Sequence, residues 1–332
     1  MSVEIQPLSV GLMPLETRCD IIRHLATKAD ETGYTAFFLP ETWSYDTTVL
    51  LAEAAVQTRQ IHLGATVLGI WGRSAATIAM ASSTLHEISN GRFILGLGTS
   101  TQQLTEGLHD ISYEAPYKKL RQVITQVKAL LCGERLPLYT ATDARPIRLN
   151  LPTHPDLPIY LAASSPKSIQ IAGELCDGWI PFLLPRDRLA DGIALLQEGA
   201  ARADTSKLLP QICPSIPAVV AADTATARKG AAWFVAFYLT MMGPIYRNAL
   251  ARWGFAREVE AVLEANPGRN PAIVPPEAEV LLEQLTLYGT PKQVREQLTR
   301  WYKAGAAMPG LVLAPNLSRE ELDFTLQAFR RS

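Results

Sequence analysis

Short apolar runs alternate with amphipathic stretches along almost the whole chain. The runs of strand length are Ser9–Met13, Thr35–Leu39, Ile61–Leu68, Phe93–Leu97, Pro158–Ala162, Gly178–Phe182, Ile216–Ala221 and Gly310–Leu313. Several are apolar at successive positions, which suits a parallel sheet covered on both faces. Between them, apolar residues at helical spacing predict helices near 17–32, 47–58, 75–89, 116–132, 166–175, 186–203, 223–253 and 291–304. Eight strands alternating with eight helices is the count of an α/β, TIM-like (β/α)8 barrel. A doubly wound open sheet is the rival, but its GxGxxG first turn is missing.

Punctuation along the chain supports this parse. Thr290-Pro291 places a capping hydroxyl before a proline at the first helical position, and Ser318 with Glu321 forms a capping-box pattern. One domain is expected over residues 1–332, with insertions at about 134–157 and 223–289. The first should hold a hairpin built from Leu136–Tyr139 and Ile147–Leu149. In the second, Gly243-Pro244 should break the long helix, and the excursion should act as a lid or pocket wall.

Two strand ends carry chemistry. Phe93–Leu97 runs into Gly96, Gly98, Thr99 and Ser100, where glycines and hydroxyls let backbone amides approach an anion. Ile159–Ala162 is followed by Ser164, Ser165, Pro166 and Lys167 at a helix start, whose N–H groups and dipole suit a phosphate. Alone, Ser165 would read as an ordinary N-cap. Together, the two turns point to a cofactor site at the top of the barrel.

Composition narrows the partners. The net charge of -1, without a basic run, argues against nucleic acid or an anionic membrane. Four scattered cysteines make no CxxC pair, and the histidines make no HxH or HExxH, so neither a disulfide framework nor a metal is expected. The N-terminus lacks the pattern of a signal peptide, and a cytoplasmic setting is expected. The absence of GxSxG, a Walker loop or paired carboxylates leaves hydrolysis and phosphoryl transfer without support.

Glu41, in PETWSYD at a strand end, is the candidate acid or base; its bland alternative is a loop carboxylate. His109, in TQQLTEGLHD, is the candidate proton carrier, or else holds its loop by hydrogen bonds. Trp43 and Trp71 could pack on a flat ring. Arg73 more simply anchors its turn to a neighbouring carboxylate. The aromatic stretch Ala231–Phe255 could roof an apolar pocket, with Tyr246 and Arg247 as its polar substrate contacts. Small residues along 75–85 allow close packing on the barrel or against a second subunit, and a homodimer is expected.

The runs GATVLGIWGRSAATIAMASSTLHEISNGRFILGLGTSTQQLTEGLHD and PIYLAASSPKSIQIAGELCDGWIP resemble the luciferase-like monooxygenase superfamily. Together with PETWSYD, MGPIYRNALARWGF and LYGTPKQVREQL they look most like its coenzyme F420-dependent oxidoreductases. The resemblance implies a bacterial luciferase-like barrel that binds F420, or alternatively FMN, at its strand ends. It implies phosphate contacts at Gly98, Thr99, Ser164, Ser165 and Lys167 and further cofactor contacts at Ser100 and Ala163, with Thr66, Val67 and Leu68 along the ring, where the family often has a non-proline cis peptide or a bulge. Asp110 departs from the family's frequent histidine-glycine. Lys118, Lys119, Arg186 and Arg188 could line a path for the acidic F420 tail, or form a solvated rim.

The expected activity is hydride transfer between deazaflavin C5 and a small organic substrate, with Glu41, His109 and Trp43 at the reacting centre. An FMN-dependent monooxygenase and a non-catalytic flavin-binding protein are the alternatives. A hydrolase or aldolase would need a metal, Schiff-base lysine or nucleophile that the sequence does not offer.

Overall fold

A computed structural model describes residues 6–203, 208–268 and 272–330. Its strands are β1 (Ser9–Leu12), β2 (Ala36–Leu39), β3 (His62–Ala65), β4 (Leu68–Gly69), β5 (Phe93–Gly98), β6 (Ile159–Ala162), β7 (Gly178–Ile180), β8 (Gln211–Ile212), β9 (Ser215–Val220), β10 (Leu287–Gly289) and β11 (Gly310–Leu313). All pair in parallel, in the order β10-β9-β11-β1-β2-β3-β5-β6-β7-β8, with β4 also on β5. The ring closes where β8 passes into β9. Cys213 N donates to Trp179 O at 2.8 Å, Ser215 N to Pro181 O at 2.9 Å, and Phe182 bridges Ser215.

Every predicted stave is present, which makes the architecture the expected barrel. The third stave is interrupted: β3 and β4 are separated at Thr66–Val67, whose peptide bond is cis. The helix predicted over 223–253 is two, Thr224–Met241 and Pro244–Arg252, because Gly243 sits at φ 72° and Pro244 opens the next helix. The hairpin expected within 134–157 is absent as a ladder. A single backbone hydrogen bond, Leu136 N to Ile147 O at 2.9 Å, joins its arms beside one from Arg135 Nη1 to Pro146 O at 3.2 Å, and Pro137 and Pro146 deny the adjoining donors.

Three apolar clusters result. Outer faces of the staves pack on the helical shell through residues such as Leu25, Phe37, Leu63, Phe93 and Trp179. The aromatic helices of 224–252, with Val262, Leu281 and Leu285, build a second core beside Met13 and Leu183. Inside the ring, Phe38, Ile94, Tyr160, Ile180 and Met308 fill the middle and floor. The space above them is left for the site.

Arg92, within the SNGRFILGLGTS run, is buried and works below the barrel. It donates to the carbonyls of Ser89 (2.7 Å), Ile61 (2.7 Å), Ala55 (2.9 Å) and Thr58 (3.1 Å) and to Thr58 Oγ1 (2.9 Å). One guanidinium thus joins the end of helix Thr47–Gln57 to the entries of β3 and β5.

Candidate active site

A cavity of about 450 Å³ opens at the carboxyl ends of the staves, roofed by the helices of 224–252. The tips of β5 and β6 meet in its wall: Gly98, Thr99 and Ser100 on one side, Ala163, Ser164 and Ser165 on the other. Neighbouring parallel strands make this unavoidable, since Leu97 pairs with Leu161. The backbone N–H groups of Thr99, Ser100, Ala163 and Ser164 have no hydrogen-bond partner among the described residues. Four unpaired donors on a cavity wall are unusual inside a protein and suit an anion. Ser100, at φ 55°, holds a backbone conformation that non-glycine residues rarely adopt.

The carbonyls of both tips are already committed. Trp71 Nε1 donates to Thr99 O at 2.9 Å, and Trp179 Nε1 donates to Ala163 O at 2.9 Å. Tyr117 Oη lies 3.0 Å from Ser165 Oγ. Burial, more than anything else, raises the Tyr113 phenol above its ordinary value, so it stays neutral near pH 7. Ser165 also performs the bland role weighed for it. Its hydroxyl accepts from Ser168 N at 3.3 Å, which completes a capping box on helix Pro166–Leu175.

Thr66 and Val67 line the cavity beside β5. Gly98 is required there, because a Cβ on it would collide with Cγ2 of Val67. Gly96 is needed one step lower, where a Cβ would strike the Ala65 carbonyl oxygen. The GLG pattern therefore serves close approach of the bulged third stave as well as any ligand.

Glu41 reaches the cavity wall, clamped by Arg73. Arg73 Nη2 lies 2.6 Å from Glu41 Oε1 and 2.8 Å from Asp46 Oδ1, and Nε lies 3.0 Å from Glu41 Oε1. The hydrogen bond to Glu41 is the chief reason the guanidinium holds its proton more firmly than usual. Arg73 is thus the anchor of its turn, and Glu41 is oriented, not free.

Other predicted residues lie off the wall. Lys167 is exposed at the helix start, and Leu68 is fully buried behind the cavity. Trp43 lines a smaller adjoining cavity with Leu104, Leu108 and Met241. His109 is exposed, its ring pressed against Gly72, where an added Cβ would meet it. Trp71 serves as the Thr99 tie. Arg247 is outside the lining, with Nε buried and unpaired among the described residues, whereas Tyr246 lines the cavity.

Of the charges weighed for a tail path or a solvated rim, three have local contacts. Arg186 bonds Asp187 at 3.2 Å, Arg188 bonds Asp191 at 3.4 Å, and Lys119 sits 6.0 Å from the Trp71 ring centre. Sequence reading missed Tyr113, Tyr117 and Trp179, and took in Tyr238 only as one ring of the aromatic roof. The YEAPY spacing, four residues apart at a helix start, was the available signal for the first two.

A family model described as luciferase-like monooxygenase matches residues 9–308. The chain belongs to the luciferase-like monooxygenase family. A Mycobacterium tuberculosis protein that carries the name of a coenzyme F420-dependent oxidoreductase, Rv3520c, is 30% identical over 319 residues, covering 90% of this chain and 91% of that one. The 5,10-methylenetetrahydromethanopterin reductase of Archaeoglobus fulgidus is 29% identical over 267 residues, covering 77% and 78%. In fold, the chain is similar to the coenzyme F420-dependent tetrahydromethanopterin reductase of Methanopyrus kandleri, with a TM-score of 0.78, 19% identity, and coverage of 97% and 98%. Such relatives are enzymes of redox chemistry on one barrel, and the cavity at its carboxyl end is where this chain concentrates its unpaired donors.

Among the described residues, no helix is long and apolar enough to cross a membrane, and no group of three or more His, Cys, Asp or Glu could hold a metal ion.

Proposed function

We propose that this chain is an F420-dependent oxidoreductase that transfers a hydride between the deazaflavin and a small organic substrate. The observation that carries the reading is the set of four unpaired N–H groups at the β5 and β6 tips, sharing one cavity with an apolar slot at Val67. That arrangement fits a phosphate joined to a flat ring. The F420 name carried by the Mycobacterium tuberculosis relative favours deazaflavin over FMN. When bound, F420 supplies hydride chemistry and does not normally activate oxygen.

The chain's own work is binding, orientation and exclusion of water. Thr99, Ser100, Ala163 and Ser164 would hold the phosphate, with Ser165 keeping the helix start in place. Thr66 and Val67 would run along the ring. Glu41, held by Arg73, would accept a hydrogen bond at the ring's edge, and Trp43 would close the adjoining mouth. His109 and Lys167 have no part in this arrangement, because neither lines the cavity.

Absorbance titration of purified protein with each cofactor tests the reading. F420 should bind with clear saturation and FMN at least about tenfold more weakly, a difference of about 1.4 kcal/mol. Tighter FMN binding would reverse the cofactor choice in favour of a monooxygenase.

We also propose that a second copy covers the outward faces of helices Thr47–Gln57 and Ala75–Ile88, where Val49, Val56 and Met80 are each more than half exposed. Sedimentation velocity should show a dimer for the wild type and a monomer for Val56→Glu. A wild-type monomer would refute the pairing.

A further inference from the structure

Two phenols in the cavity wall have nothing to bond. Tyr238, on helix Thr224–Met241, is only 4% exposed, and Tyr246 follows on helix Pro244–Arg252. They stand edge to face with ring centres 5.2 Å apart, and both meet Phe182, at 4.7 Å and 5.5 Å. All three rings line the cavity, yet neither hydroxyl has a hydrogen-bond partner among the described residues. Nor does either hydroxyl count among the side-chain polar atoms sealed off from solvent, so both keep surface toward the open space.

Packing does not explain the hydroxyls. A phenylalanine would make the same edge-to-face contacts without placing a hydroxyl on this stretch of cavity wall. Two such groups on adjoining rings of one cavity wall offer two donors to a ligand that fills it. The same wall carries Phe182, Met242, Ile245 and Leu12, with Asn248 and Arg252 also on the Tyr246 helix, and suits a ligand with apolar flanks. Burial pushes the Tyr246 phenol up to about 12, and burial first, then the neighbouring Tyr246, pushes Tyr238 well above the usual phenol value. Both therefore stay protonated at physiological pH and act as donors, not bases.

We propose that Tyr238 and Tyr246 are the oxygen anchor of the substrate, and that the substrate is a neutral carbonyl compound with apolar flanks, or the alcohol related to it. This deepens the proposed hydride transfer and rests on it. A carbonyl oxygen held by two phenolic O–H donors is polarised at the carbon that receives or releases hydride. The pair also rejects an oxygen-free analogue, because its donors would then be left unpaired.

The test uses acetophenone and ethylbenzene, which match in shape and differ in the oxygen, on wild type, Tyr238→Phe, Tyr246→Phe and the double variant. Calorimetry is run with and without oxidised F420, which cannot reduce the ketone. Each single variant should lose acetophenone affinity about three- to tenfold, as expected for one neutral hydrogen bond, while ethylbenzene binding holds within about twofold. The infrared carbonyl band of bound acetophenone should lie at lower frequency in wild type than in the double variant. Unchanged acetophenone affinity, no acetophenone binding, an equal loss for ethylbenzene, or an unmoved carbonyl band would each overturn the anchor. Failure of F420 to bind overturns the cofactor reading alone, since the carbonyl band can still be read on the protein without it.

Discussion

Arg92→Met should destabilise the protein by about 3 kcal/mol, the largest expected effect of any single substitution away from the cavity. The guanidinium serves five acceptors, four of them main-chain carbonyls, and it is buried. Methionine fills similar space but leaves those carbonyls without donors where water does not reach. Arg92→Lys should recover only part of the loss, because one ammonium has three protons and no planar fork. Chemical denaturation with two spectroscopic probes checks this. A shift below about 1 kcal/mol would mean that the carbonyls find water and that the joint is not as dry as it looks.

Gly98→Val should reduce F420 affinity by about 10- to 100-fold while leaving the barrel folded, by analogy with the cost of overpacking a fitted site. The new side chain would drive Val67 away from β5, and Val67 lines the cavity where the ring is proposed to lie. Ala162 Cβ, at 3.8 Å from an added Cβ, closes the other direction. Gly69→Ala is the matched control. It lines the same cavity, but its Cβ would meet only Ser100 Cβ at 4.0 Å, and its affinity should stay within about twofold. Fluorescence or absorbance titration of both variants decides the matter. Equal losses would show that the ring does not lie against Val67.

The barrel was legible because buried parallel strands write themselves as largely apolar runs, and most staves obeyed that rule. The break at Thr66–Val67 was not legible from the residues themselves, for THR-VAL is an ordinary strand pair; it entered only as an implication of the family resemblance. The 134–157 segment misled because Leu136–Tyr139 and Ile147–Leu149 have strand-like composition, while two prolines remove the donors a ladder needs.

At the site, the strand tips were readable from glycine and hydroxyl residues that local chain geometry brings to one face. Most side-chain partnerships, the Arg73 anchor apart, were not readable. Trp71 and Trp179 look alike to composition as pocket walls, yet each ties a tip carbonyl from behind. His109 and Lys167 sit next to the right residues in sequence but are exposed and do not line the cavity, since one residue's step around a helix or loop redirects a side chain by a wide angle. Tyr238 was hidden in an aromatic stretch whose spacing gives core and cavity faces the same letters.

The central claim is that the tips of β5 and β6 jointly hold the phosphate of a deazaflavin cofactor. A crystal structure of the protein with F420 tests it most directly. The account predicts phosphate density within hydrogen-bond reach of the Thr99, Ser100, Ala163 and Ser164 amides, with the ring beside Val67. F420 bound elsewhere, with those four amides facing only water, would contradict it.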